Sequence, residues 1–193
     1  MSKINHGYEA RKWWTQLQPK KTEEDGYRTG DRAALAKLRR CSSWVQAAAE
    51  PQTLVLFHAL EKSHKNDLPR VAVLASVLTH VREETKADKQ TGRMPLIADG
   101  IGKRAGDKDA TAVLSDLRLR RLLTTKGDDD ILIAFRRLVA MMGGTANIAD
   151  LATNILDWDH PEMGDKTRVN FAFHYWQAGA AAPHFPAPDA AAE

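Results

Sequence analysis

The sequence predicts an all-α protein, a compact helical bundle built as one body or as two small helical layers. Apolar residues recur at helical spacing along nearly the whole chain, and no run alternates as a surface strand does. The eight prolines and twelve glycines are too few and too scattered for a low-complexity chain. Val71, Val73 and Val77 have strand character, but Ala72, Ala75 and the length of their periodic run favour helix.

The expected helices cover 7–17, 31–49, 51–63, 69–84, 109–125, 129–142, 147–157 and 165–177. In the first, Trp13 and Trp14 are core residues; neighbours on a helix point about 100° apart, so one of the pair is expected at the edge. Asp31 is placed to cap the second helix, in which Leu35 and Leu38 lie about 60° apart on the wheel. The third carries His58. In the fourth, Val71, Leu74, Ala75, Leu78 and Val81 share one arc, with Pro69 acceptable in the first turn. Leu119, Leu122 and Leu123 anchor the fifth; Ile131, Leu132, Phe135, Leu138, Val139 and Met142 stripe the sixth; Ile148, Leu151, Ala152, Ile155 and Leu156 stripe the seventh. Asp165 or Thr167 caps the last. Residues 62–67 and Gly143-Gly144 read as turns. One helical domain is expected over residues 1–179, with a flexible or ligand-binding loop near 83–107 and a disordered tail at 180–193.

The 193 residues carry 28 Lys and Arg against 25 Asp and Glu, a net +3, so an anionic partner must be held by local clusters rather than bulk charge. Cys41 stands alone, which excludes an intrachain disulfide or a cysteine-built metal site and fits a reducing cytoplasm. There is no run of about 18 apolar residues, and Lys3, Glu9, Arg11 and Lys12 occupy the place of a signal peptide, so no membrane association is expected.

No phosphate-loop, dinucleotide, zinc-protease or serine-hydrolase motif occurs. The glycines of 98–105 are too few for a nucleotide cradle. Asp128, Asp129 and Asp130 read as a capping run that complements a helix dipole, and Asp157 and Asp159 as flanks of a buried Trp158. Cys41 reads as a small core residue. No catalytic residue, metal or cofactor is expected; the competing reading is a metal-dependent nuclease that uses Asp157 and Asp159.

Basic residues are the informative feature. Arg32, Lys37, Arg39 and Arg40 fall on the flank of their helix away from Leu35 and Leu38, beside low alanines that let a phosphate backbone approach. Arg118 and Arg121 are three apart and project together, with Arg120 between them. Arg136 and Arg137 lie beside and behind an apolar stripe, and Lys166 and Arg168 open the last helix. Guanidinium groups bind phosphates through paired donors, with an affinity that depends on salt and little on base sequence. On spacing alone, nucleic-acid contact, a solvated charged face and a protein-docking surface all fit.

The order of several motifs resembles the Cse2 or CasB family, the small subunit of the type I-E CRISPR surveillance complex called Cascade. They are Trp13-Trp14-x-x-Leu17, Gly30-Asp31-Arg32-Ala33-Ala34-Leu35-Ala36-x-Leu38-Arg39-Arg40, Ile101-Gly102, Leu117-Arg118-Leu119-Arg120-Arg121-Leu122-Leu123, Phe135-Arg136-Arg137-Leu138-Val139, and Ile148-Ala149-Asp150-Leu151 leading to Leu156-Asp157-Trp158. Trp176 occupies a late aromatic position that the family favours. The resemblance implies an all-helical, non-catalytic subunit present in two copies. It implies contacts with the large and backbone-forming subunits, with the crRNA and target DNA duplex, and with the displaced strand. Arg32, Arg39, Arg40, Arg118, Arg136 and Arg137 match the family's basic positions; Lys37, Arg120, Arg121, Lys166 and Arg168 are added by charge and placement. An adaptor in the same complex that makes no nucleic-acid contact is the alternative.

Overall fold

The computed structural model describes residues 6–21, 28–60, 67–102 and 112–178. The elements run α1 (His6–Leu17), β1 (Lys20–Lys21), β2 (Arg28–Thr29), α2 (Arg32–Arg40), α3 (Trp44–Ala48), α4 (Pro51–Leu60) and α5 (Leu68–Leu78). After these come β3 (Glu83–Glu84), α6 (Ile97–Ile101), α7 (Asp116–Thr124), α8 (Asp128–Met141), β4 (Thr145–Ala146), α9 (Ile148–Asp157) and α10 (Gly164–Gln177). The strands form two minimal pairs, β1 antiparallel to β2 and β3 parallel to β4, so the protein is all-α in architecture.

The bundle is organised around α5, in which every residue from Arg70 to Leu78 is buried. A helix apolar all round belongs in a core, and here α2, α3, α4, α8 and α9 pack against it while α1 lies on α9 and α4. Each fully buried Val or Leu contributes about 1.5–3 kcal/mol of transfer free energy. A second group, α6, α7 and α10, joins the first through α10 on α9. The two groups interleave in sequence, because α8 and α9 return to α5 after α6 and α7 have left it.

Several expectations change in detail. The helix expected over 31–49 breaks at Cys41–Ser43. Ser43 Oγ accepts from Gln46 N–H at 3.3 Å, and Gln46 Oε1 accepts from Ser42 N–H at 2.8 Å, so local capping overrides the apolar period. Both Trp13 and Trp14 are buried, because each indole N–H has a backbone acceptor: Gln52 O at 2.9 Å and Val81 O at 3.2 Å. Close approach of α1 to α9 is possible because Gly7 has no side chain; a Cβ there would lie 2.6 Å from Ala149 Cβ. The expected cap at Asp31 is present, its Oδ1 accepting from Ala34 N–H at 2.8 Å. The last helix begins at Gly164 without a side-chain cap, and Asp165 pairs instead with Arg168 at 2.5 Å.

The stretch expected to lack regular structure contains β3, an Asp88 turn and α6, while residues 103–107 lie outside the described set, as does the 180–193 tail. The N-terminus of α6 is held by carboxylates: Asp99 accepts from Leu96 N–H at 3.1 Å, and Asp150 of α9 accepts from Ile97 N–H at 2.7 Å.

Asp128 and Asp129 stand in the first turn of α8 without capping it; that role falls to Gly127 at φ 79°. Asp129 accepts from Trp44 N–H at 2.8 Å, so it caps α3 instead. Asp128 lies 2.9 Å from the buried Arg70 guanidinium, an ion pair whose N–H is not aimed at the oxygen. Burial pushes the Asp128 carboxyl up, and Asp67 and Asp159 nearby add to the effect against the opposing pull of Arg70.

Trp158 is wholly buried at the junction of α8, α9 and α10, edge-on to Phe135 at 5.0 Å and to Phe171 at 5.3 Å. Beside it, Asp159 accepts from Gly127 N–H at 3.2 Å and lies 3.9 Å from Arg168. Asp159 therefore holds the α7–α8 turn near the α9–α10 turn.

Candidate nucleic-acid interface

The eleven basic residues singled out in the sequence divide into groups with different surroundings. Arg118, Arg121 and Arg137 come together around a groove of about 580 Å³ between α7 and α8. From the α7 side it is lined by Leu114, Arg118, Arg121, Leu122 and Thr125; from α8 by Ala134, Arg137, Leu138, Ala140 and Met141. The spacing on each side is helical, so one face of each helix looks across the gap. Among the described residues, none that lines the groove is acidic. Arg118 Nη1 lies 3.8 Å from Met141 Sδ, which carries the guanidinium from α7 toward α8.

The groove exists because α7 is supported from another side. It packs on α10, where the buried Tyr175 hydroxyl donates to Leu114 O at 2.5 Å and Leu114 N–H bonds to Ile101 O at 3.1 Å. Gly102 lets α6 meet α10, since a Cβ there would lie 2.7 Å from Tyr175 O. The Ile101-Gly102 motif thus fixes where the arginine helix starts. Thr125, Ala134, Ala140 and Met141 were not singled out from the sequence. The signal that finds them is the matched helical spacing of 114, 118, 121 and 125 against 134, 137, 138 and 141, with short alanines keeping the space open.

On α2, the side chains of Arg32, Lys37 and Arg40 are exposed and form no hydrogen bond or ion pair with another described residue. Lys166 on α10 is likewise exposed. Arg39 differs, because its Nε donates to Thr79 O at the end of α5. Arg136 is half-buried: its Nη2 donates to Ser76 Oγ and to Leu38 O at 3.3 Å, tying α8 to α5 and to the end of α2. Arg120 pairs with Asp116 at 3.1 Å on the surface and does not line the groove. Arg168 is largely buried, donating to Trp158 O and Asp165 at 2.5 Å each. Arg136 and Arg168 thus hold helices together.

Arg39 and Arg136 both face His80, whose Nε2 is buried without a partner among the described residues. Burial, reinforced by these two cations, lowers its pKa to about 4. The folded protein therefore keeps His80 neutral while an unfolded chain protonates it near pH 6.5. The contribution to stability is intact above pH 6.5 and is lost as pH falls through about 4. Melting His80→Gln alongside the parent from pH 7 to 4 is expected to show the parent losing on the order of 2 kcal/mol more than the variant. Parallel pH curves would contradict this assignment.

Cys41 is buried, and burial, with Glu50 adding to it, pushes its thiol up, away from the thiolate that a nucleophile requires. Among the described residues no group of three His, Cys, Asp or Glu side chains is placed to hold a metal ion, and no helix is long and apolar enough to cross a membrane.

These features define a class: an α-helical protein with an arginine-rimmed groove between two of its helices. The family model described as CRISPR-associated protein Cse2 matches residues 34–176, and the chain belongs to that family. Family membership brings with it a subunit role in Cascade and is consistent with a non-enzymatic part in it. Neither a curated protein nor a solved structure gives a match.

Proposed function

We propose that this protein is a non-catalytic nucleic-acid-binding subunit of the crRNA-guided type I-E surveillance complex in the cytoplasm. It stabilises the crRNA–target hybrid and the displaced strand by holding phosphates, as part of antiviral defence. The observation that supports this most strongly is the convergence of Arg118, Arg121 and Arg137 on one groove with no acidic side chain among its described lining residues. Arg32, Lys37 and Arg40 offer a second exposed set of phosphate donors, and Lys166 a further one. Arg39, Arg136, Arg168 and Arg120 act mainly through their protein partners. A second copy of the chain, the large subunit and the backbone-forming subunits are its protein partners.

Binding of single-stranded DNA and RNA over a salt series tests the reading. The combined variant Arg118→Ala, Arg121→Ala, Arg137→Ala is expected to bind more weakly whatever the sequence, with the slope of log K against log salt smaller by about two for single strands. An unchanged affinity and slope, together with loss of assembly into the complex, would favour the adaptor role.

A further inference from the structure

We infer that the α7/α8 groove accepts an unpaired nucleotide, its base against the apolar floor and its flanking phosphates on the arginine rim, so that it selects single strands over duplex. This rests on the nucleic-acid reading above and adds to it the form of the ligand. A site for phosphate alone needs cations and no apolar floor, yet between its arginines this groove is floored by the half-buried Ala134 and Met141 over the edges of the buried Leu114, Leu122 and Leu138. Its volume of about 580 Å³ falls within the range of clefts that bury a small organic ligand, about 300–1,000 Å³. A duplex keeps its bases stacked inside and offers only phosphates, which would leave this floor wet.

Arg118 extends the same floor. Its guanidinium reaches from α7 to within 3.8 Å of Met141 Sδ, and a planar cation above an apolar surface is a platform on which a base stacks. The groove is poor in groups that read base edges. Thr125 is the one uncharged polar residue among its described lining residues, and its hydroxyl already donates to Arg121 O at 2.9 Å. The pocket therefore accepts any base, as backbone tracking along a displaced strand requires.

The test uses the full chain at low salt, with fluorescence anisotropy of three probes of equal length: single-stranded oligothymidine, the same strand with abasic sites in place of its bases, and a duplex. The abasic strand carries the same phosphates and is expected to bind about tenfold more weakly than oligothymidine. The duplex is also expected to bind more weakly. Ala134→Leu fills the floor without altering charge, on a helix that tolerates leucine; it should bring oligothymidine down to the abasic level with an unchanged salt slope. Equal affinity for oligothymidine and abasic strand in the parent protein would overturn the inference while leaving the phosphate-binding reading standing. Failure to bind any of the three would overturn both.

Discussion

Replacing Trp158 by alanine is expected to destabilise the protein by about 3–5 kcal/mol, a large share of the roughly 5–15 kcal/mol that holds a domain together. The indole is fully buried and is the shared contact of Phe135 on α8 and Phe171 on α10, so its loss opens a cavity where three helices meet. The backbone around it is committed, with Trp158 O accepting from Arg168 and Gly164 held close beneath it, which limits collapse into the void. Trp158→Phe should cost much less, because the indole N–H has no acceptor among the described residues to lose. Urea denaturation reads both, through a lower midpoint at an unchanged slope. A loss below about 1 kcal/mol for the alanine variant would mean that the three helices do not depend on this junction.

The second large contrast is between neighbours in sequence. Arg136→Ala is expected to lower stability by about 2–3 kcal/mol, because the guanidinium makes charge-assisted bonds to Ser76 Oγ and Leu38 O inside the α2–α5–α8 contact. Nucleic-acid affinity and its salt slope should stay as in the parent for the folded fraction. Arg137→Ala should do the reverse, with melting unchanged within about 0.5 kcal/mol and a salt slope lower by roughly one. Arg137 is exposed at the groove rim, and its side chain forms no hydrogen bond or ion pair with a described residue. The same outcome for both variants would show that the depth of the two side chains does not divide their roles.

What the sequence made legible follows from which interactions are local. The buried α5 could be read from its length and apolar content, and Asp31 from its place ahead of Arg32-Ala33-Ala34, because both effects act within one element. Helix α6 was missed because it is only five residues long and part of its cap comes from Asp150, far along the chain. The α2–α3 break has a local signal in Ser43 and Gln46, three apart, but the apolar period that runs across it masks that signal. Pairing of Arg70 with Asp128 has no local signature at all.

The same limit applies to the arginines. A helical wheel gives the direction of a side chain and not what stands in front of it, so Arg136, over the cleft between α2 and α5, and Arg137, over open space, read alike. Arg118, Arg121 and Arg137 were each identified from sequence, whereas their convergence depends on α10 holding α7 away from α8.

The central claim is that nucleic acid enters the α7/α8 groove. Met141 stands on its floor, and the protein has only five methionines, so methyl labelling gives a sparse spectrum with built-in controls. On titration of the full chain with a single-stranded oligonucleotide, the Met141 methyl resonance, assigned through Met141→Leu, should shift in a saturable way at the affinity measured by anisotropy. Met94 and Met163, which do not line the groove, should hold still. Saturable binding that leaves the Met141 resonance where it was would place the nucleic acid elsewhere on the surface and contradict the account.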